Sequence, residues 1–287
     1  MIGVETEYGL VGRRGDAVRN ARLSGGEAAG RLFTPIEREH ASSNVFLRNG
    51  GRLYLDVGSH PEYATAECAS VADLLVHERA GDELLTRLAR RAEADAAEGE
   101  PVQLRLFKNN VDSHGNSYGC HENYSIDRAL DLPMLAGALT PFLVTRQVLC
   151  GTGRWTADGF SISQRAEVLH AELSSMTTRA RPLINTRDEP LADPAKFRRL
   201  HVISGDSNLS EPSAMLKVGS MLAVLAAVEA ALMGRGGRLP ALELADVAGS
   251  LRAVARDPRA VLTLASGRTI GALDVQAGHG VDLRSGH

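Results

Sequence analysis

Residues 51–60 read GRLYLDVGSH. In an extended chain Leu53, Leu55 and Val57 project to one side and Arg52, Tyr54 and Asp56 to the other, so one face suits a core and the other carries groups used in chemistry. Upstream, IGVETEYGLVG (2–12) is expected to form the first strand. Glu5 and Glu7 then share a face, roughly 6.6 Å apart. Two carboxylates that close repel unless the strand is a solvated edge or something relieves the charge. The candidates are a pair of arginines, a shared proton, or one or two divalent cations.

Working outward, a Gly- and Arg-rich stretch to about residue 26 leads into a helical segment holding Ala28, Leu32 and Phe33. Residues 71–98 place Leu74, Leu75, Leu84, Leu85 and Leu88 at helical spacing, a surface helix packed on a sheet. VQLRLFKNNVD from 102 reads as a strand running into a turn, joined through VDSHGNSYGCHENYSI to a strand around 121–126, and the pair is expected to be a hairpin. A helix over 133–149 is expected to break or kink at Pro141. FSISQRAEV, RPLINTRDEP and LHVISGDSN read as strands, the last two running into turns, and 211–233 as a helix. The rest is helical to about 256, followed by a hairpin-like LTLASGRTI. There is no regular βαβ repetition, no G-x-G-x-x-G and no phosphate-binding G-x-x-x-x-G-K-[ST]. The expected class is α+β around a largely antiparallel sheet, with helices packed on it.

The 287 residues, 44% hydrophobic and 23% charged, can bury one large core or two modest ones. A net charge of -3 and a pI near 6.3 supply no general attraction to nucleic acid or anionic membrane. Cys68, Cys120 and Cys150 are odd in number and without C-x-x-C spacing, which argues against a disulfide framework or zinc site and fits a reducing cytoplasm. No signal-like segment opens the chain. The apolar window 214–233 contains Lys217 and Glu229 and reads as a buried helix rather than a membrane span.

Polar residues with little structural reason cluster in five places: Glu5 with Glu7; Arg52, Tyr54, Asp56 and Glu62; Lys108-Asn109-Asn110; His121-Glu122-Asn123; and Arg181, Arg187, Arg198 and Arg199. If their strands converge on one cleft, carboxylates and a histidine would hold hard cations and arginines would hold phosphate. That equips a Mg-ATP site without a glycine-rich phosphate loop. Singly, each has an ordinary alternative: Asn-Asn builds turns, arginines pair at surfaces, and Cys120 beside His121 shows no activating pattern.

GVETEYG, RLYLDVGSHPEYATAE, LFKNNVDSHGNSYGCHENY, RPLINTRDEP and RRLHVISGDSN, in this order, closely resemble the Pup ligase (proteasome accessory factor A) and Pup deamidase/depupylase family over residues 2–275. The family is related in fold to glutamine synthetase and glutamate–cysteine ligase. DVGSHPEYATAE, GCHENY and the short connection from Glu7 to Arg52 are closer to the ligase than to the deamidase, which more typically shows HAHPEYSTPE, a threonine before HENY and a long insertion.

The resemblance implies ATP-dependent attachment of the C-terminal glutamate side chain of Pup to lysine amines of protein substrates, marking them for the proteasome. It also implies Glu5, Tyr54 and Glu62 as magnesium ligands, with Glu7 and His121 as additional metal-site residues. Arg52 and Thr65 become ATP contacts, Arg187 and Arg199 phosphate contacts, and Asp56 the catalytic base. The catalytic domain is expected over 1–275. AGHGVDLRSGH looks like an atypical tail without helical pattern, a truncation or frame shift in place of the family's small C-terminal domain. A non-catalytic Pup- or nucleotide-binding remnant, a Pup deamidase, and a small-molecule carboxylate–amine ligase of the same superfamily are the alternatives.

Overall fold

The computed structural model describes residues 1–15, 21–96, 100–175, 181–188 and 192–281. They form two compact units, Met1–Cys120 and His121–His287.

In the first unit the expected opening strand divides at Tyr8 into β1 (Ile2–Glu7) and β2 (Gly9–Arg14). β1 joins an antiparallel sheet with β4 (Val45–Phe46), β5 (Arg52–Asp56) and β6 (His60–Ala64), in the order β4-β5-β6-β1. β2 instead pairs antiparallel with β3 (Ala21–Arg22) and β7 (Val102–Phe107). The predicted hairpin joining β7 to the 121–126 strand is therefore not formed, because β7 finds its partner far upstream. Residues 110–118 close a small loop of their own, where Asp112 accepts the backbone N–H groups of His114 and Asn116.

Helix α1 (Gly25–His40) starts at a reciprocal cap between Ser24 and Glu27, and α2 runs over Val71–Ala96. Leu32 and Phe33 of α1, Leu85 and Leu88 of α2, and Leu53 and Tyr63 of the sheet fill one core. Gly81 is required in α2 because a Cβ there would lie 2.3 Å from the Tyr63 ring. The alternation of β5 holds for Leu53, which has no exposed surface, and stops at Asp56. Val57, expected in the core, is 77% exposed because the chain turns through Gly58 (φ 88°) and Ser59 (φ 64°).

In the second unit β8 (Cys120–Asp127), β13 (Phe197–Val202), β12 (Pro182–Asn185) and β11 (Ala171–Ser174) lie side by side, antiparallel except for the parallel β11–β12 pair. Helix α3 (Leu132–Thr145), capped by Asp131, accommodates Pro141. The break comes at Arg146, before the short α4 (Gln147–Cys150), where Arg146 reaches a buried carboxylate at Glu122. β9 (Arg154–Thr156) and β10 (Gly159–Ser161) form a hairpin. The strand expected through 168 stops at Ser161, because the backbone N–H groups of Gln164 and Arg165 turn to the Asp206 carboxylate.

Helix α5 (Glu211–Leu232) is the one helix among the described residues long and apolar enough to cross a membrane. The expected burial holds for one stripe only: Val218, Met221, Val224 and Leu225 are buried and Lys217 donates to the Asp206 carbonyl at 2.8 Å, while a third of the apolar window is buried in all and Met215 and Leu216 are exposed. α6 (Val247–Arg256), the hairpin β14 (Val261–Thr263) and β15 (Thr269–Gly271), and α7 (Ala272–Val281) follow. The segment expected to lack helical pattern is thus helical as far as Val281, and 282–287 lie outside the described residues.

Candidate active site

Antiparallel register builds the site in the first unit. Glu7 faces Glu62 across β1–β6, while Tyr54 faces Glu62 and Asp56 faces His60 across β5–β6. Paired residues and their i±2 neighbours share a sheet face, so Glu5, Glu7, Arg52, Tyr54, Asp56, His60 and Glu62 lie on one side. Leu53 and Tyr63 go to the core on the other.

Carboxylate oxygens of Glu7, Asp56 and Glu62 all lie within 4.8 Å of one another. Glu7 and Glu62 are buried, at 7% and 3% exposure. Burial, then the charges of Glu5 and Glu7, push the Glu62 carboxyl up to about 9, opposed by a hydrogen bond from Tyr54 and reinforced by Asp56. Burial and the carboxylates of Glu62 and Glu5 likewise drive the Tyr54 hydroxyl far above its usual range. A convergent, all-oxygen, anionic donor set of this kind fits a small hard divalent cation.

Arg52 lies over the Tyr54 ring at 4.5 Å and donates from Nε to Asn44 Oδ1 at 2.8 Å. Thr65 follows β6. Its hydroxyl accepts the Val4 N–H and donates to the Ala66 carbonyl, leaving one lone pair for any further contact.

His60 escaped the sequence reasoning. Its Nδ1 lies 3.1 Å from Glu7 Oε2 and its ring packs at a tilt against Tyr118, 4.5 Å between centroids. The signal was available: His60 stands two residues before Glu62, hence on the same strand face.

Lys108 is not at the carboxylate face but in a buried ion cluster, 2.7 Å from Glu78 Oε1 and 3.3 Å from Asp82 Oδ1. Asn109 and Asn110 bond the carbonyls of Val111 and Tyr118, the turn-building use of asparagine. Cys120 is fully buried.

The remaining predicted site residues lie in the second unit. His121 stacks edge-on against His201 at 5.1 Å. Arg199 donates to Asn123 Oδ1 at 2.7 Å and meets His201 Nδ1 at 3.0 Å. Arg187 is positioned by its backbone N–H, which donates to Asn185 Oδ1. Glu122 is fully buried in a two-bond pair with Arg146 (2.7 and 2.8 Å), with the Tyr124 hydroxyl at 2.6 Å. Burial works to raise the Glu122 carboxyl, but Arg146, Lys217 and Tyr124 outweigh it and hold it low.

Comparison with known proteins gives one consistent result. The model of the family described as Pup-ligase protein matches residues 1–282. The chain is 49% identical over 290 residues to the Pup–protein ligase of Corynebacterium glutamicum, covering 96% of the chain and 58% of the relative. It is 50% identical over 287 residues to that of Mycolicibacterium vanbaalenii, covering 96% and 61%. Among solved structures, the ligase PafA in complex with the prokaryotic ubiquitin-like protein Pup superposes with a TM-score of 0.88 at 46% identity, over 99% of this chain and 56% of that one. PafA in complex with ADP superposes with a TM-score of 0.76 at 48% identity, over 91% and 57%. The chain therefore spans a little over half the length of the relatives it matches. The chain belongs to the Pup-ligase protein family.

Proposed function

We propose that this chain carries the catalytic face of an ATP-dependent ligase that joins the C-terminal glutamate side chain of Pup to lysine amines of protein substrates, marking them for proteasomal degradation in the cytoplasm. The observation that carries the reading is the convergence of Glu7, Asp56 and Glu62 oxygens on the polar face of β1, β5 and β6. It occurs in a chain about half identical to proteins named Pup–protein ligase.

The chemistry asks for such a face. A carboxylate resists attack by an amine, so its oxygen must first be phosphorylated by ATP to a γ-glutamyl phosphate. Magnesium, when bound, would neutralise charge that moves between the phosphate oxygens. Glu5, Glu7, Glu62 and the Tyr54 oxygen are its proposed ligands, and His121 is proposed as a further metal-site residue. Arg52 and Thr65 would contact the nucleotide, and Arg187 and Arg199 the phosphates.

The second step needs a neutral lysine amine. With an ordinary pKa near 10.4, leaving it neutral at pH 7 costs roughly 4.6 kcal/mol in water. Asp56 ends β5 on the same face as the other carboxylates, and we assign it the role of taking that proton.

Incubating the chain with Pup ending in glutamate, Mg-ATP and a lysine-bearing acceptor tests this. ADP and conjugate should appear, and Asp56→Ala should slow conjugation on the order of 100-fold or more. A folded sample that yields neither product rejects the enzyme reading, and an Asp56→Ala chain that conjugates as fast as the parent rejects the assigned base.

A further inference from the structure

His60 is held in a way that the proposed ligand set does not explain. Tyr118, only 8% exposed, packs against the His60 ring at 4.5 Å with the two planes tilted by 55°, and is anchored by its hydroxyl to Asp112 Oδ2 at 3.3 Å. Gly58 lies so close that a Cβ there would sit 3.2 Å from His60 Nε2, and its φ of 88° is one that favours glycine. The edge of the ring carrying Nδ1 meets Glu7 Oε2 at 3.1 Å, with the two side chains 22% and 10% exposed. His60 also lines a cavity of about 730 Å³ together with Arg22, Asn109, Asp112 and Tyr118. The imidazole thus stands between that cavity and the carboxylates of Glu7, Asp56 and Glu62.

We propose that His60 is a positioning residue: its Nδ1–H donates to Glu7 Oε2 and fixes the Glu7 carboxylate in the orientation that converges with Asp56 and Glu62. A glutamate has three side-chain torsions, and near two other carboxylates its charge favours swinging away. A donor packed against a buried aromatic ring rather than carried on a flexible stem opposes that swing at little cost in mobility. Such supports of ligating carboxylates typically change metal affinity by about 10–100-fold when removed. The inference rests on the proposed use of this face as a cation site.

Asparagine places an N–H where the imidazole has Nδ1, whereas glutamine places one where it has Nε2. Mn²⁺ titrations of the whole chain, followed by the electron paramagnetic resonance of free Mn²⁺, should therefore give His60→Asn an affinity within about twofold of the parent. His60→Gln and His60→Ala should bind on the order of tenfold more weakly. Urea unfolding of each variant shows that the compared samples are folded. If the alanine variant does not fold, the Asn and Gln variants alone decide. Equal Mn²⁺ affinity in the parent, Asn and Gln chains would overturn the role of His60 and leave the cation site standing. A folded parent that binds no Mn²⁺ would overturn both.

Discussion

Glu62, 3% exposed beside Glu5, Glu7 and Asp56, has its carboxyl pushed up to about 9 by burial and by those charges. Without a cation the folded chain keeps that proton through neutral pH, while an unfolded chain releases it near the ordinary value of 4.5. The stabilisation from this raised group is complete below about 4.5 and is lost as the pH rises toward about 9. The slope is at most ~1.4 kcal/mol per pH unit. In the absence of divalent cations the urea midpoint should fall between pH 5.5 and 8.5, and Glu62→Gln, which imitates the protonated acid, should flatten most of that fall. A parent and variant with parallel pH profiles would contradict it.

At this scale much was legible. The spacing of Glu5 and Glu7 and the alternation of Arg52, Tyr54 and Asp56 placed these residues on shared faces before any partner strand was known. His60 was legible only by counting back from Glu62 on β6, because the positive φ of Gly58 and Ser59 turns the chain and restarts the alternation there. A period of two cannot be carried across a turn.

Among elements, the end of β1 is clamped to α2. The Tyr8 hydroxyl donates to Asp82 Oδ1 at 2.6 Å, and Lys108, its side chain 5% exposed, sits between Asp82 and Glu78. Removing one partner of a buried ion cluster leaves the others uncompensated, so Lys108→Met should destabilise the fold by about 3–5 kcal/mol in denaturant titrations. A change under ~1 kcal/mol would mean that the cluster is solvated after all. Gly81→Ala should cost about 1–3 kcal/mol by pressing a methyl into the Tyr63 ring. An unchanged unfolding midpoint would show that Tyr63 can withdraw without penalty.

The sequence located β7 and β8 well but mispaired them. Alternation identifies a strand and its faces, whereas the partner is chosen by long-range packing, here β2 for β7 and β13 for β8. The break at Arg146 rather than Pro141 has a similar cause. The proline is a local signal, while the interruption follows a distant carboxylate on β8.

Over the whole molecule, each unit is organised around buried charge. The first has the carboxylate face and the Lys108 cluster; the second has Glu122 with Arg146, and Asp206 receiving N–H and O–H donors from Thr152, Ser163, Gln164 and Arg165. The family and the α+β class were readable from the ordered motifs, whereas the division into two compact units was not, because no linker composition separates residue 120 from 121.

As a cation site, the β1–β5–β6 face requires Glu62 to surrender its proton when the ion binds. The most direct test is the proton released when Mg²⁺ is added to the chain in weakly buffered solution at pH 7.5. The parent should release about one proton per cation bound, since burial and neighbouring carboxylates hold the Glu62 proton up to about 9, and Glu62→Gln almost none. Saturating Mg²⁺ that releases no proton from the folded parent, or as much from the variant, would contradict it.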